Sequence, residues 1–164
     1  MSASPQVSPP GLYIHIPFCD GKCAYCAFYS VPQDAALAER LLPALARELE
    51  RETRRLPAGF AETVYIGGGT PSLLSPDQLR RLADMLRPHL PAAGPLEWTM
   101  EANPGSLTAA KLTQLKRAGV NRISLGAQSF DARVLRLLGR RHSPGNIRQA
   151  VALEQQAVEL LEAK

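Results

Sequence analysis

Hydrophobic positions along the 164-residue chain follow two alternating rhythms. Short apolar runs carrying β-branched and aromatic residues, at 12–16, 63–66, 96–101 and 122–125, read as strands. Between and after them the spacing becomes helical. Over 34–55, Leu37, Leu41, Leu45 and Leu49 recur every four residues with charges between, and Pro43 is expected to kink or divide that helix. Ser75-Pro76-Asp77-Gln78 is a complete helix start. Ser75 serves as N-cap, Pro76 takes the first position and Gln78 closes a capping box, predicting a helix to about Leu86. Further helices are predicted over 108–118, stopped by Gly119, over 131–138, ended by Gly139, and over 146–163.

Strand and helix thus alternate four times, with no hairpin signal between strands. The fold class is α/β, a parallel sheet of βα units with about four strands. The polar, glycine-bearing stretches follow the strands, after Ile16, Ile66, Glu101 and Leu125. Function gathers at the carboxyl ends of such strands, so the four stretches are predicted to share one rim. Residues 1–11, rich in Pro and Ser, read as a disordered lead-in to a domain over 12–164.

Composition narrows the class. Hydrophobic residues at 45% and charged ones at 21% suit a soluble globular chain with room for a core. The net charge of +4 comes from arginines scattered along helices, so a nucleic-acid surface is not indicated and an anionic small ligand stays open. The N-terminus has no basic and apolar signal-peptide pattern, and no apolar run approaches the ~20 residues that span a bilayer. A reducing, cytoplasmic setting is the expectation, and there clustered cysteines bind metal or do redox chemistry more often than they form bridges.

All three cysteines fall in Cys19-Asp20-Gly21-Lys22-Cys23-Ala24-Tyr25-Cys26, directly after the first strand. Three thiols cannot pair off as disulfides. They can hold a metal, and three protein ligands leave a tetrahedral or cubane site one short, the mark of a reactive centre. The spacing favours an iron–sulfur cluster; zinc held by Cys19, Cys23, Cys26 and His15 is the alternative. Gly67-Gly68-Gly69-Thr70-Pro71 permits close approach of backbone amides to a ligand, or is an ordinary βα turn. It lacks the Gly-Lys-Ser/Thr of a P-loop. Glu101 closes the third strand, where a carboxylate can meet a ligand ammonium or simply cap and be solvated. Gln128 and Arg140 carry no message alone. His89 and His142 read as surface residues, and Trp98 as core.

Taken together, these stretches resemble the radical S-adenosylmethionine (SAM) superfamily, marked by C-x3-C-x2-C on the loop after the first strand. More narrowly, four motifs in order are similar to the oxygen-independent coproporphyrinogen III oxidase group. They begin with Leu12-Tyr13-Ile14-His15-Ile16-Pro17-Phe18-Cys19 and Gly67-Gly68-Gly69-Thr70-Pro71-Ser72. Glu101-Ala102-Asn103-Pro104 and the stretch from Gly119 to Phe130 follow. The match sets zinc aside.

The resemblance implies a [4Fe–4S] cluster held by Cys19, Cys23 and Cys26, with SAM chelating the free iron. Tyr13, Tyr25, Gly68, Gly69, Thr70, Glu101, Gln128 and Arg140 match positions that line the family's cofactor sites. In such proteins an electron from the cluster cleaves the sulfonium, and the resulting radical takes hydrogen from substrate. The oxidases carry a further cysteine two residues after the third; here that position is Phe28. With the short N-terminus and Gly139-Arg140-Arg141-His142, this resembles the HemW-type heme chaperone branch, although Ala27 stands where members carry a polar residue. Heme or porphyrin is then the cargo, with heme-acceptor proteins and an electron donor as partners. Decarboxylation of coproporphyrinogen III is the alternative function, and a non-functional fragment the third. Family members continue through further βα units, so a truncated product with an incomplete barrel is expected.

Overall fold

The computed structural model describes residues 11–92 and 96–162. Strand β1, Leu12–Ile16, leads into a two-stranded parallel ribbon of β2, Phe18–Cys19, and β3, Val31–Pro32, that the sequence did not announce. Helix α1, Ala35–Thr53, β4, Thr63–Gly68, α2, Pro76–Leu86, and β5, Glu97–Ala102, follow. Then come α3, Ala109–Ala118, β6, Arg122–Leu125, α4, Ala132–Leu137, and α5, Pro144–Glu162. The lead-in expected over 1–11 lies outside the described residues except for Gly11.

The main sheet runs β1-β4-β5-β6 and is parallel throughout. Each crossover steps one place in the same direction. Right-handed connections of that kind lay the crossover helices on one face, and α1 packs on α2, α2 on α3 and α3 on α5 in a row. Against this row the strands turn Ile14, Ile16, Val64, Ile66, Trp98 and Met100, all buried with Leu42, Leu79, Leu82, Leu86 and Leu115 in one core. Each Leu or Ile hidden there contributes about 1.5–3 kcal/mol.

The other face is polar. Tyr13 and His15 of β1, Tyr65 of β4, Glu97, Thr99 and Glu101 of β5, and Arg122 and Ser124 of β6 alternate with the core residues. Parallel sheets covered on both faces carry near-continuous apolar strands. Alternation in a one-directional parallel sheet is instead the pattern of a barrel segment, with helices outside and a polar lumen inside. The four strands form an open sheet of that kind.

Two helix expectations change. Pro43 does not divide α1, which is continuous across it. The carbonyl of Glu39, four residues back, loses its intrahelical donor, but Glu39 and Pro43 both face water, and burial of Ala38, Leu42 and Leu49 holds both halves against the sheet. Leu37 is exposed rather than buried. A strict four-residue repeat overshoots the 3.6-residue turn, so the stripe drifts and Ala38 and Leu42 face the core instead. The capping box forms as expected, Ser75 Oγ accepting from Gln78 N–H while Gln78 Oε1 accepts from Ser75 N–H. Asp34, Thr108 and Asp131 cap α1, α3 and α4 through the side-chain acceptor alone, without the reciprocal bond. No described helix is long and apolar enough to cross a membrane.

Candidate functional site

The cysteine loop is fixed at both ends by backbone hydrogen bonds. Val31 N–H donates to the Pro17 carbonyl at 2.8 Å and Gln33 N–H to that of Cys19 at 2.9 Å, so the ribbon holds the loop as a closed arch. Within it, Lys22 Nζ donates to the Phe28 carbonyl at 2.7 Å and to Ser30 Oγ at 3.2 Å. Ala24 N–H donates to the Leu138 carbonyl, tying the arch to the end of α4. At its base the arch runs against Gly69, whose N–H donates to the Ile16 carbonyl at 2.8 Å. A Cβ on Gly69 would stand 2.6 Å from the Phe18 oxygen, which explains the glycine better than flexibility does. Gly68 N–H donates to Glu101 Oε2 at 3.0 Å. Both amides expected to meet a ligand therefore have protein partners, and it is the missing side chains that matter.

All three thiols are free and open on one cavity of about 530 Å³ above the strand ends. Tyr25, Gly69, Thr70, Asn103, Lys111, Arg140 and His142 also line it. Its volume lies in the range of small-molecule sites. Two donors point at sulfur: Thr70 Oγ1–H toward Cys19 Sγ at 3.7 Å, and Arg140 Nη1–H toward Cys23 Sγ at 3.5 Å. Asn103 joins them, donating from Nδ2 to Thr70 Oγ1 at 3.2 Å and accepting at Oδ1 from Arg140 Nη2 at 2.7 Å. Arg140 Nη2 also donates to the Gly126 carbonyl at 2.6 Å, while the buried Nε–H has no partner among the described residues. Burial raises the Tyr25 phenol pKa, opposed by the nearby Arg140 guanidinium.

On the polar sheet face stands a second group. Tyr29 offers His15 a carbonyl, which only accepts, so His15 Nε2 carries the proton at 3.1 Å and Nδ1 accepts from Tyr13 OH at 3.0 Å. The Tyr13 ring stacks on Tyr65 at 6.1 Å, and Tyr65 OH donates to Glu101 Oε1 at 2.7 Å. That bond, with some burial, raises the Tyr65 pKa. Burial, then the Glu101 charge, raises that of Tyr13. Gly68, at φ 110, lies against the His15 ring, where a Cβ would come within 2.6 Å. Gln128 holds the left-handed conformation at φ 63 after β6, with its side chain exposed.

The expected residues thus form two groups. Cys19, Cys23, Cys26, Tyr25, Gly69, Thr70 and Arg140 surround the cavity; Tyr13, Gly68 and Glu101 share the adjoining sheet face, and Gln128 sits on the loop beyond β6. His15 belongs to the second group with both ring nitrogens engaged, which removes it as a fourth ligand to zinc. Among the described residues no three His, Cys, Asp or Glu side chains converge on a single-ion site. A cluster makes no such demand, since each cysteine binds its own iron. The donor set fits a cluster: three thiols on one cavity, with polar hydrogens directed at two sulfurs.

Three lining residues escaped the sequence reading. His142 is half-buried, not a surface residue; its Nε2 bonds the Ala127 carbonyl at 3.0 Å, and burial lowers its pKa. Lys111 Nζ crosses between the turns after β4 and β5, donating to the carbonyls of Ser72 at 2.6 Å and Ser106 at 3.0 Å, and burial lowers its pKa. Nothing in helical spacing marks it. Asn103 was visible as part of Glu101-Ala102-Asn103-Pro104, but its role was not.

Residues 13–159 match the signature of the Radical SAM superfamily. The chain belongs to that superfamily. Heme chaperone HemW of Escherichia coli (strain K12) is 42% identical to this radical SAM chain over 154 residues, covering 90% of it and 39% of the relative. Heme chaperone HemW of Mycobacterium tuberculosis (strain ATCC 25618 / H37Rv) is 45% identical over 140 residues, 84% of this chain and 36% of that one. Among solved structures, the coproporphyrinogen III oxidase HemN of Escherichia coli, a radical SAM enzyme, superposes with a TM-score of 0.80 at 30% identity. That match covers 89% of this chain and 34% of that one. The radical SAM chain described here spans under two fifths of these relatives' length.

Proposed function

We propose that this chain binds a [4Fe–4S] cluster through Cys19, Cys23 and Cys26, and SAM beside it, in the manner of a heme chaperone related to HemW. The observation that carries the reading is the cavity itself: three free thiols open on it, and Thr70 and Arg140 direct hydrogens at two of the sulfurs. When bound, the cluster supplies an electron that cleaves the SAM sulfonium. The chain's own part is to hold and orient. Glu101, with lone pairs free beyond those used by Tyr65 and Gly68, suits an ammonium, and the Arg140 guanidinium suits a carboxylate. Tyr25 offers a ring face, and the loop at Gln128 closes the rim. Residues 12–164 would then form part of a radical SAM barrel in a cytoplasmic protein, with heme as cargo, an electron donor and heme-acceptor proteins as partners.

The second reading is oxidative decarboxylation of coproporphyrinogen III, favoured by the superposition on HemN. Phe28, 66% exposed at the position where the resemblance places a further cysteine in the oxidases, speaks against it. Anaerobic reconstitution with iron and sulfide, followed by heme titration and a coproporphyrinogen III turnover assay, separates the two. Stoichiometric heme binding without turnover supports the chaperone; turnover supports the oxidase. Absence of a cluster contradicts both.

A further inference from the structure

We propose that Asn103 is a positioning residue that aims Thr70 and Arg140 at the sulfurs of Cys19 and Cys23, and so sets the reduction potential of a cluster held there. The inference rests on the cluster-binding reading above. It starts from the bifunctional character of one side-chain amide. Nδ2 donates to Thr70 Oγ1 and occupies a lone pair of that hydroxyl, which leaves its single hydrogen for Cys19 Sγ. Oδ1 accepts from Arg140 Nη2, whose other hydrogen goes to the Gly126 carbonyl. Both hydrogens of Nη2 are thereby used, the plane of the guanidinium is fixed, and Nη1 is left on Cys23 Sγ.

Asn103 is itself held firmly. Its N–H donates to Ser72 Oγ at 3.1 Å, and its carbonyl accepts from Ser106 N–H at 3.0 Å and Ser106 Oγ at 2.9 Å. These are main-chain bonds, so truncating the side chain removes the two aiming contacts and spares the anchor. Hydrogen bonds to cluster sulfurs favour the more negative, reduced state and raise the potential. One amide governing two of three ligands is therefore a lever on cluster reduction.

The test uses the full chain reconstituted anaerobically with iron and sulfide, with cluster content assayed and the potential read by redox titration. In Asn103→Ala the ratio of reduced to oxidised cluster at the parent midpoint is expected to fall about tenfold, a drop of about 59 mV for a one-electron couple. The effect is expected to shrink in a Thr70→Val background, because part of it runs through that hydroxyl. A cluster-loaded Asn103→Ala protein at the parent potential overturns the inference, as does full additivity with Thr70→Val. Asn103→Asp keeps the acceptor toward Arg140 and loses the donor toward Thr70. Thr70→Val is therefore expected to shift its potential less than it shifts the parent's. An equal shift overturns the inference even where Asn103→Ala fails to hold a cluster. A parent chain that takes up no cluster instead overturns the reading on which the inference rests.

Discussion

At Gly69 one added carbon meets main chain rather than a side chain that could move aside. Its Cβ would press on the Phe18 oxygen at 2.6 Å and the Pro17 carbonyl carbon at 2.8 Å, both backbone atoms at the root of the cysteine arch. Gly69→Ala is expected to destabilise the fold by about 1–3 kcal/mol, the usual cost of overpacking, and to loosen the arch. Chemical denaturation and faster proteolysis between residues 17 and 30 check this. His142 supplies a pH signature. Burial holds its folded pKa below the ordinary ~6.5, so its neutral form adds stability above that pH, lost as pH falls through the folded value. Stability measured between about pH 7 and 5 is expected to decline less steeply in His142→Gln than in the parent. At this scale the sequence was only partly legible. Clustered cysteines announce themselves by type and spacing, whereas His142 and Lys111 gain their surroundings from strands and turns remote in the chain.

Helix ends were the most readable elements, because capping is a local matter. Ser75 with Gln78 formed the capping box as expected, and Thr108 and Asp131, read from sequence as first helical residues, prove to be caps that meet their partners within three residues. Helix interiors depend on what covers them, and there Pro43 misled. Local rules place a break at Pro43; packing of Ala38, Leu42 and Leu49 on the sheet overrides it. Pro43→Ala restores a donor for the Glu39 carbonyl and is expected to stabilise the chain by about 1–3 kcal/mol, toward the proline penalty of a helix interior. A higher thermal midpoint with unchanged helical content checks this. The β2–β3 ribbon went unread because two-residue strands carry no periodicity, although it is what turns the cysteine loop into a fixed arch.

For the molecule as a whole, a parallel sheet followed from alternation alone: βα units without hairpins give parallel strands, and motifs after strands give a functional rim. Alternation did not disclose that helices cover one face only; the resemblance to a barrel family implied it. That distinction sorts the expected residues into a cavity group and a sheet-face group, and it gives His15 a hydrogen-bonding role beside Tyr13. It also accounts for alternation within parallel strands, where Tyr13, Tyr65, Glu101 and Ser124 face a polar space. Across that divide Gly68 and Gly69 touch both groups, one through Glu101 and the other through the arch. On the proposed reading, this rim carries a three-cysteine cluster with SAM at its open iron. Electron paramagnetic resonance of the reconstituted, dithionite-reduced chain, recorded with and without SAM, tests it most directly. The expected result is the signal of a reduced [4Fe–4S] cluster whose line shape changes on adding SAM and which Cys19→Ala, Cys23→Ala or Cys26→Ala each abolishes. No such signal, one indifferent to SAM, or one that survives loss of a cysteine would contradict it.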